Sequence, residues 1–408
     1  ALAKQPNRFS FQHLVSEPKS LDLWCDLIAA FLKHVISRYG LEEVLQWKFS
    51  VWHLPDTPPR LYGFPHPEDF YVFYRRTQET VKRLNPDFCF GLPCTFYLNE
   101  YDHSNWYLDL LHWSREHHCS PDFVSFTFYD TKMAVERTSS RDAFGFTDPM
   151  ILNPEENGLK EFLSNVRMRL KETGGSALPV YVCEWNSTPS QQDLLNDTCY
   201  KSCYLVKNIL ENYDRFDGLA YWSLTDLMGE APLPEKLLFG GLGLFTANGL
   251  PKASYYALSL LRQLGDRFLA KGNGWYATRT QTKICILAYH YKHISNLYAM
   301  GERFDMTETD RYTMFEPSES LYLQLELRDM EDKEYLVTET ILNRRHGSLY
   351  DAWIEMGAEA PASEEERRFL EARSIPALRK SRAVAENGVL ILRPQLELLE
   401  VRLIVVTL

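Results

Sequence analysis

Pro179-Val180-Tyr181-Val182-Cys183-Glu184-Trp185-Asn186 decides how this chain of 408 residues is read. An apolar run with no polar interruption marks a strand covered on both faces, as parallel strands are. A carboxylate, Glu184, stands at the C-terminal end of that run, which is where a (β/α)8 barrel places its chemistry. Upstream, Trp47-Lys48-Phe49-Ser50-Val51-Trp52-His53-Leu54-Pro55 reads as a second strand tip, ending in His53-Leu54.

Strand-like and helix-like segments alternate around these two tips. Strands are expected over 46–52, 88–92, 123–128, 180–184 and 219–224. Helices are expected over 20–39, 67–84, 104–118, 158–173, 193–213 and 252–264. Such alternation builds βαβ units and a parallel sheet. After Gly265 the texture changes: Leu321, Leu323, Leu325 and Leu327 alternate with Tyr322, Gln324 and Glu326, a period of two with one buried face. Further strand candidates at 275–279, 283–291, 335–342, 389–392 and 396–406 suggest a mostly antiparallel β-sandwich. Ser363-Glu364-Glu365-Glu366 is a capping box that opens one short helix within it. The expected class is therefore α/β, a (β/α)8 TIM barrel over residues 1–264 followed by a β-sandwich over 265–408. Only five barrel strands are counted where closure needs eight. The first three strands are expected to be missing from this chain and supplied by sequence upstream of residue 1 or by another chain.

Composition excludes several classes. Net charge is −11, with no basic stripe, so this portion is not expected to bind nucleic acid. Hydrophobic residues make up 45% of the chain, yet no run of 18 apolar residues would span a membrane. The eight cysteines follow no disulfide framework and no metal-ligand spacing, and they read as buried free thiols of a cytoplasmic protein. No metal or cofactor is indicated, and the oligomeric state, including a homo-oligomer, stays open.

Several motifs in collinear order resemble glycoside hydrolase family 39, which contains the β-xylosidases and relatives of α-L-iduronidase. Cys183-Glu184-Trp185-Asn186-Ser187-Thr188-Pro189-Ser190 resembles the family's nucleophile strand. Gly91-Leu92-Pro93, Asp122-Phe123-Val124-Ser125 with Tyr129, and Tyr221-Trp222-Ser223-Leu224-Thr225-Asp226 with Glu230 are similar to the fifth, sixth and eighth strands. Phe239-Gly240-Gly241-Leu242-Gly243-Leu244 resembles the loop that follows, and Trp353 with Met356-Gly357 matches in the sandwich. The resemblance implies that Glu184 takes the nucleophile position. It implies that His53, Tyr129, Asn186, Trp222, Asp226 and Glu230 line the sugar subsite. Core packing would explain Trp222 equally, a loop cap would explain Asp226, and a buried ion pair remains the bland alternative for Glu184.

Three departures from the family point one way. Leu54 occupies the acid/base position, His53 replaces an asparagine that contacts the sugar, and Thr127 stands where the sixth strand carries a histidine. Leucine transfers no proton, and losing a positioned general acid typically costs ~10²–10⁴-fold in rate. The sequence therefore suggests a non-catalytic domain that binds a xyloside-like mono- or oligosaccharide. Such a domain would sit behind an upstream DNA-binding module in an AraC-type bacterial transcriptional regulator. The alternative is an active retaining β-xylosidase that uses Glu184 and a relocated acid/base.

Overall fold

The computed structural model describes residues 17–56, 64–95, 106–133, 150–228, 234–302 and 305–408. Helix α1 (Leu21–Tyr39) begins at Ser20, whose side chain accepts the Leu23 amide, and stops at Gly40 with φ +88°. After α2 (Leu41–Val44) come β1 (Lys48–Phe49), α3 (Pro67–Leu84), β2 (Cys89–Phe90) and β3 (Cys94–Thr95). Next are α4 (Trp106–Glu116), β4 (Val124–Tyr129), the small hairpin β5 (Thr131–Met133) and β6 (Met150–Leu152), and α5 (Gly158–Glu172). The first layer ends with β7 (Val180–Asn186), α6 (Cys199–Asn212), β8 (Gly218–Tyr221) and α7 (Ala253–Leu261).

β2 and β3 are two halves of one strand, interrupted at Gly91-Leu92-Pro93. The Gly91 amide reaches back to Phe49, and the Leu92 amide to Phe123. A side chain at Gly91 would strike the Phe123 ring, with a Cβ 2.3 Å from it, which is why glycine stands there. Five parallel strands result, in sequence order: β1, β2/β3, β4, β7 and β8. The five strand segments expected from the apolar runs coincide with these. Among the described residues no strand pairs with the outer edge of β1 or of β8, so the array is an open arc. On its convex side Val180 and Val182 of β7, Phe126 of β4 and Phe90 of β2 pack against Tyr74, Leu163, Val166 and Tyr204 of the helices.

The second layer is antiparallel. Its main sheet has the order β15 (Ala377–Val384), β14 (Glu334–Leu342), β18 (Val401–Thr407), β11 (Lys283–Tyr289), β10 (Trp275–Arg279), β9 (Arg267–Gly272). Two short pairs cover one face, β12 (Leu321–Tyr322) with β17 (Gln395–Leu396) and β13 (Leu325–Arg328) with β16 (Val389–Leu392). Strand periodicity divides the core cleanly. Ile284 and Ile286 of β11 face a small core with Leu325, Val337, Leu390 and Ile404. Cys285 and Leu287, one residue out of phase, face the barrel helices. Helix α6 lies between the layers and is buried all round, with the Cys203 thiol reaching the Glu400 carbonyl at 3.5 Å.

One expectation needs correction here. Ser363 caps α10 (Glu364–Arg373) as expected, and the Glu366 carboxylate reaches back to accept the Ala362 amide at 2.6 Å. However, α8 (Asn296–Ala299) and α9 (Leu349–Glu355) are helical as well. Segments of four and seven residues are too short to display helical periodicity in sequence, and they persist through the Ser295 and Ser348 caps. Among the described residues no helix is long and apolar enough to cross a membrane.

Candidate active site

Strict alternation along β7 would turn Glu184 outward, together with Val180 and Val182. A β-bulge prevents this. Val182 pairs with Phe126 and Glu184 with Thr127, so Cys183 is an extra residue opposite no partner. The bulge re-aims the strand end. Trp185 then packs outward on Tyr204, with ring centroids 5.7 Å apart, while Glu184 points to the inner side of the arc.

Two side chains from other strand tips hold the Glu184 carboxylate. The Tyr129 hydroxyl, at the end of β4, donates to Oε1 at 2.5 Å. His53 Nε2 lies 3.2 Å from Oε2. Glu184 is 8% exposed, whereas 43% of the His53 side chain is accessible, so the site opens on the histidine side.

The backbone after β1 is unusual. Trp52 has φ +69° and Leu54 φ +47°, both left-handed for residues that pay to be there. Trp52 packs outward on Phe64 and Phe73, and the Leu54 amide donates to the Cys94 carbonyl at 2.9 Å. Leu54 ends up buried, at 5% exposure. Period-two facing does not apply through this tip, which is how His53 reaches Glu184 while Leu54 turns into the core.

A buried polar layer lies below the tips. Asn186 has no exposed surface: its Nδ2 donates to the Trp222 carbonyl at 2.5 Å, and its Oδ1 accepts from the Ser187 amide and the Lys201 ammonium. Burial pushes Lys201 down to about 7. Asp226 is also buried, accepting the Gly243 amide at 2.7 Å and an ion pair with Lys252 at 2.7 Å. Lys252 reaches Asp197 at 2.6 Å, and Arg311 reaches Asp197 at 2.7 Å. Burial alone would raise Asp197, but Lys252 and Arg311 outweigh it and hold its carboxyl below the usual range. Asp226 is raised, burial being the larger influence and Lys252 the opposing one. Gly240, at φ +86°, brings its amide to Asp197, and a Cβ there would lie 2.5 Å from the Asp193 carbonyl oxygen.

The structure thus gathers His53, Tyr129 and Glu184 into one cluster, with half-buried Trp222 on the adjacent strand tip. Asn186 and Asp226, expected to line the subsite, are placed beneath the tips rather than open on them. Glu230 lies outside the described residues. Lys201, Lys252 and Arg311 escaped notice in the sequence. Little in the sequence signals Lys201, whose neighbours along the chain include Asp197, Thr198 and Ser202. Among the described residues no group of three or more His, Cys, Asp or Glu side chains is placed to hold a metal ion.

Known proteins bear on this site. The model of "Glycosyl hydrolases family 39" matches residues 2–391. The chain is 29% identical over 271 residues to a β-xylosidase of Geobacillus stearothermophilus, covering 66% of this chain and 52% of that protein. It is 26% identical over 362 residues to a β-xylosidase of Caldicellulosiruptor saccharolyticus, covering 88% of this chain and 67% of that one. The chain therefore spans about half to two thirds of these relatives. A weaker likeness, 20% over 175 residues, covers 43% of this chain and 22% of an uncharacterized HTH-type transcriptional regulator of Staphylococcus aureus. Among solved structures, a monomeric β-xylosidase from Caulobacter crescentus CB15 superposes with a TM-score of 0.82 at 23% identity, covering 98% of this chain and 77% of that chain. The fold is thus that of a TIM barrel followed by a β-sandwich.

Proposed function

The chain belongs to glycosyl hydrolases family 39, and on that premise we propose that it binds a xyloside-like sugar without hydrolysing it. The observation that carries this reading is the asymmetry of the two strand tips. Glu184 is held by Tyr129 and His53, while Leu54, at the opposing tip, is buried and apolar. Retaining hydrolysis needs two carboxyl groups about 5–5.5 Å apart, the second protonating the departing oxygen. A leucine leaves that oxygen unprotonated, and the substrate stays intact.

His53 does not replace the missing acid. It lies 3.2 Å from Glu184 and spends its Nε2 contact on the carboxylate, closer than an acid working across a sugar ring would stand. Its role is to hold Glu184 as a hydrogen-bond acceptor for sugar hydroxyls, with Trp222 as the adjacent apolar surface. The broader role is that of a sugar-sensing domain in a cytoplasmic bacterial transcriptional regulator with a DNA-binding module elsewhere in the protein. The likeness to an HTH-type regulator and eight free cysteines support that role.

Differential scanning of the protein with xylose, xylobiose and alkyl β-xylosides tests the reading. A ligand-dependent rise in melting temperature, lost in Glu184→Ala, is expected. Steady release of xylose from a xyloside overturns it.

A further inference from the structure

The bulge that turns Glu184 inward also leaves Cys183 on the inner side of the arc. All eight cysteines are free, and Cys183 is the exposed one; Cys25 and Cys89 are half-buried and the other five are buried. Cys94, on β3, is its neighbour across β4. The two strands come within 8 Å, Cα to Cα, although β4 separates them in the sheet. Cys94 contacts the Thr127 hydroxyl at 3.1 Å. Thr127 pairs with Glu184, the residue after Cys183, and the two thiols are near enough to shift each other's proton affinity.

We propose that Cys94 and Cys183 are a peroxide-responsive thiol pair that closes to a disulfide in the floor of the site. In the first step the Cys183 sulfur attacks a peroxide oxygen. The O–O bond breaks, one oxygen leaves as water with the thiol proton, and Cys183 is left as a sulfenic acid. The Cys94 sulfur then displaces the sulfenic hydroxyl, which leaves as a second water with the Cys94 proton. Two thiols lose two protons and two electrons, and hydrogen peroxide is reduced to two waters.

Local chemistry assigns the order of the two steps. The neighbouring Cys94 thiol lowers the Cys183 pKa, helped by Ser125 and the His53 ring, against burial and the Glu184 charge. Cys94, beside it and buried, is raised. A thiolate that is also exposed is the form that meets a peroxide first. Cys199 and Cys203, one turn apart on α6, are both fully buried and do not compete.

The bond would join two tips that set the site. Cys94 accepts the Leu54 amide and bridges His53, and Cys183 immediately precedes Glu184. A disulfide needs Cα atoms within about 7 Å, so the bond would fix the spacing of β3 and β7. An effect on sugar affinity rests on the proposed function; the bond itself does not.

The test treats the reduced, folded protein with hydrogen peroxide, blocks remaining thiols and maps the peptides by mass spectrometry. A Cys94–Cys183 linked peptide, reverted by dithiothreitol, is expected. In Cys94→Ser the link is lost, and a 1,3-diketone probe captures Cys183 as sulfenic acid. In Cys183→Ser, the second variant, Cys94 stays fully alkylatable. Absence of the linked peptide in the wild type, or oxidation of Cys25 and Cys89 as fast as Cys183, overturns the proposal.

Discussion

His53 Nε2 sits 3.2 Å from Glu184 Oε2, a contact made across two intervening strands by a residue whose neighbours Trp52 and Leu54 both have positive φ. The left-handed turns on either side aim the imidazole at the carboxylate and bury the leucine. Together they leave a tip whose imidazole grips the opposite carboxylate.

Replacing Leu54 by glutamate returns a proton donor to that tip. Leu54→Glu is expected to raise hydrolysis of an aryl β-xyloside above wild type, at most by the ~10²–10⁴-fold a general acid contributes. Leu54→Gln, with the same shape and no proton to give, stays at the wild-type level. Equal rates in the two variants would show that the acid position is not what limits the site.

Tyr129→Phe removes the hydroxyl that donates to Glu184 and leaves the ring. Hydrogen bonds to charged groups contribute about 1.5–3 kcal/mol. A loss of sugar affinity of roughly tenfold or more is expected by calorimetric titration, with little change in melting temperature. An unchanged Kd would separate Tyr129 from ligand binding.

Lys201 gives the stability of the protein a pH dependence of unusual sign. Its folded pKa, about 7, lies below the ordinary lysine value of 10.5. Between those values the unfolded chain holds more protons, so this group's contribution rises with pH. The cost of burying the charged form is fully present below about pH 7 and fades toward pH 10. Urea unfolding of wild type and Lys201→Met at pH 6, 8 and 10 should show the difference, wild type minus variant, growing with pH. The ceiling is about 1.4 kcal/mol per pKa unit. A pH-independent difference would contradict the assignment.

Arg311 is fully buried and pairs with Asp197, while its second Nη donates to the Leu238 carbonyl at 2.7 Å. Arg311→Met leaves two carboxylates facing Lys252 alone. Breaking a buried pair on one side costs about 3–5 kcal/mol. The Lys236–Glu308 pair is just as short at 2.5 Å but half exposed, and Lys236→Ala should cost less than about 1 kcal/mol. Denaturant midpoints of the two variants check the contrast.

What the sequence reveals follows burial. The parallel strands are covered on both faces or stand beside the helices, so β7 appears as an apolar run, and Gly91 and Gly240 mark close approaches that admit no side chain. Strand tips are harder. No glycine announces the positive φ at Trp52 and Leu54, and no local signal announces the bulge at Cys183 that turns Glu184 inward. The ion cluster was hidden because a lysine is ordinarily exposed. Lys201 and Lys252 become exceptions only when α6 and the loop after β8 are seen packed together. The same packing explains why Asn186 and Asp226, read as subsite residues, lie beneath the surface as supports.

Binding without turnover is tested most directly by saturation-transfer NMR on phenyl β-xyloside mixed with the protein and followed over many hours. The account predicts transfer to the sugar protons of the intact glycoside and no free xylose signal. Growth of free xylose at a rate above buffer, or intact glycoside that receives no saturation, would contradict it.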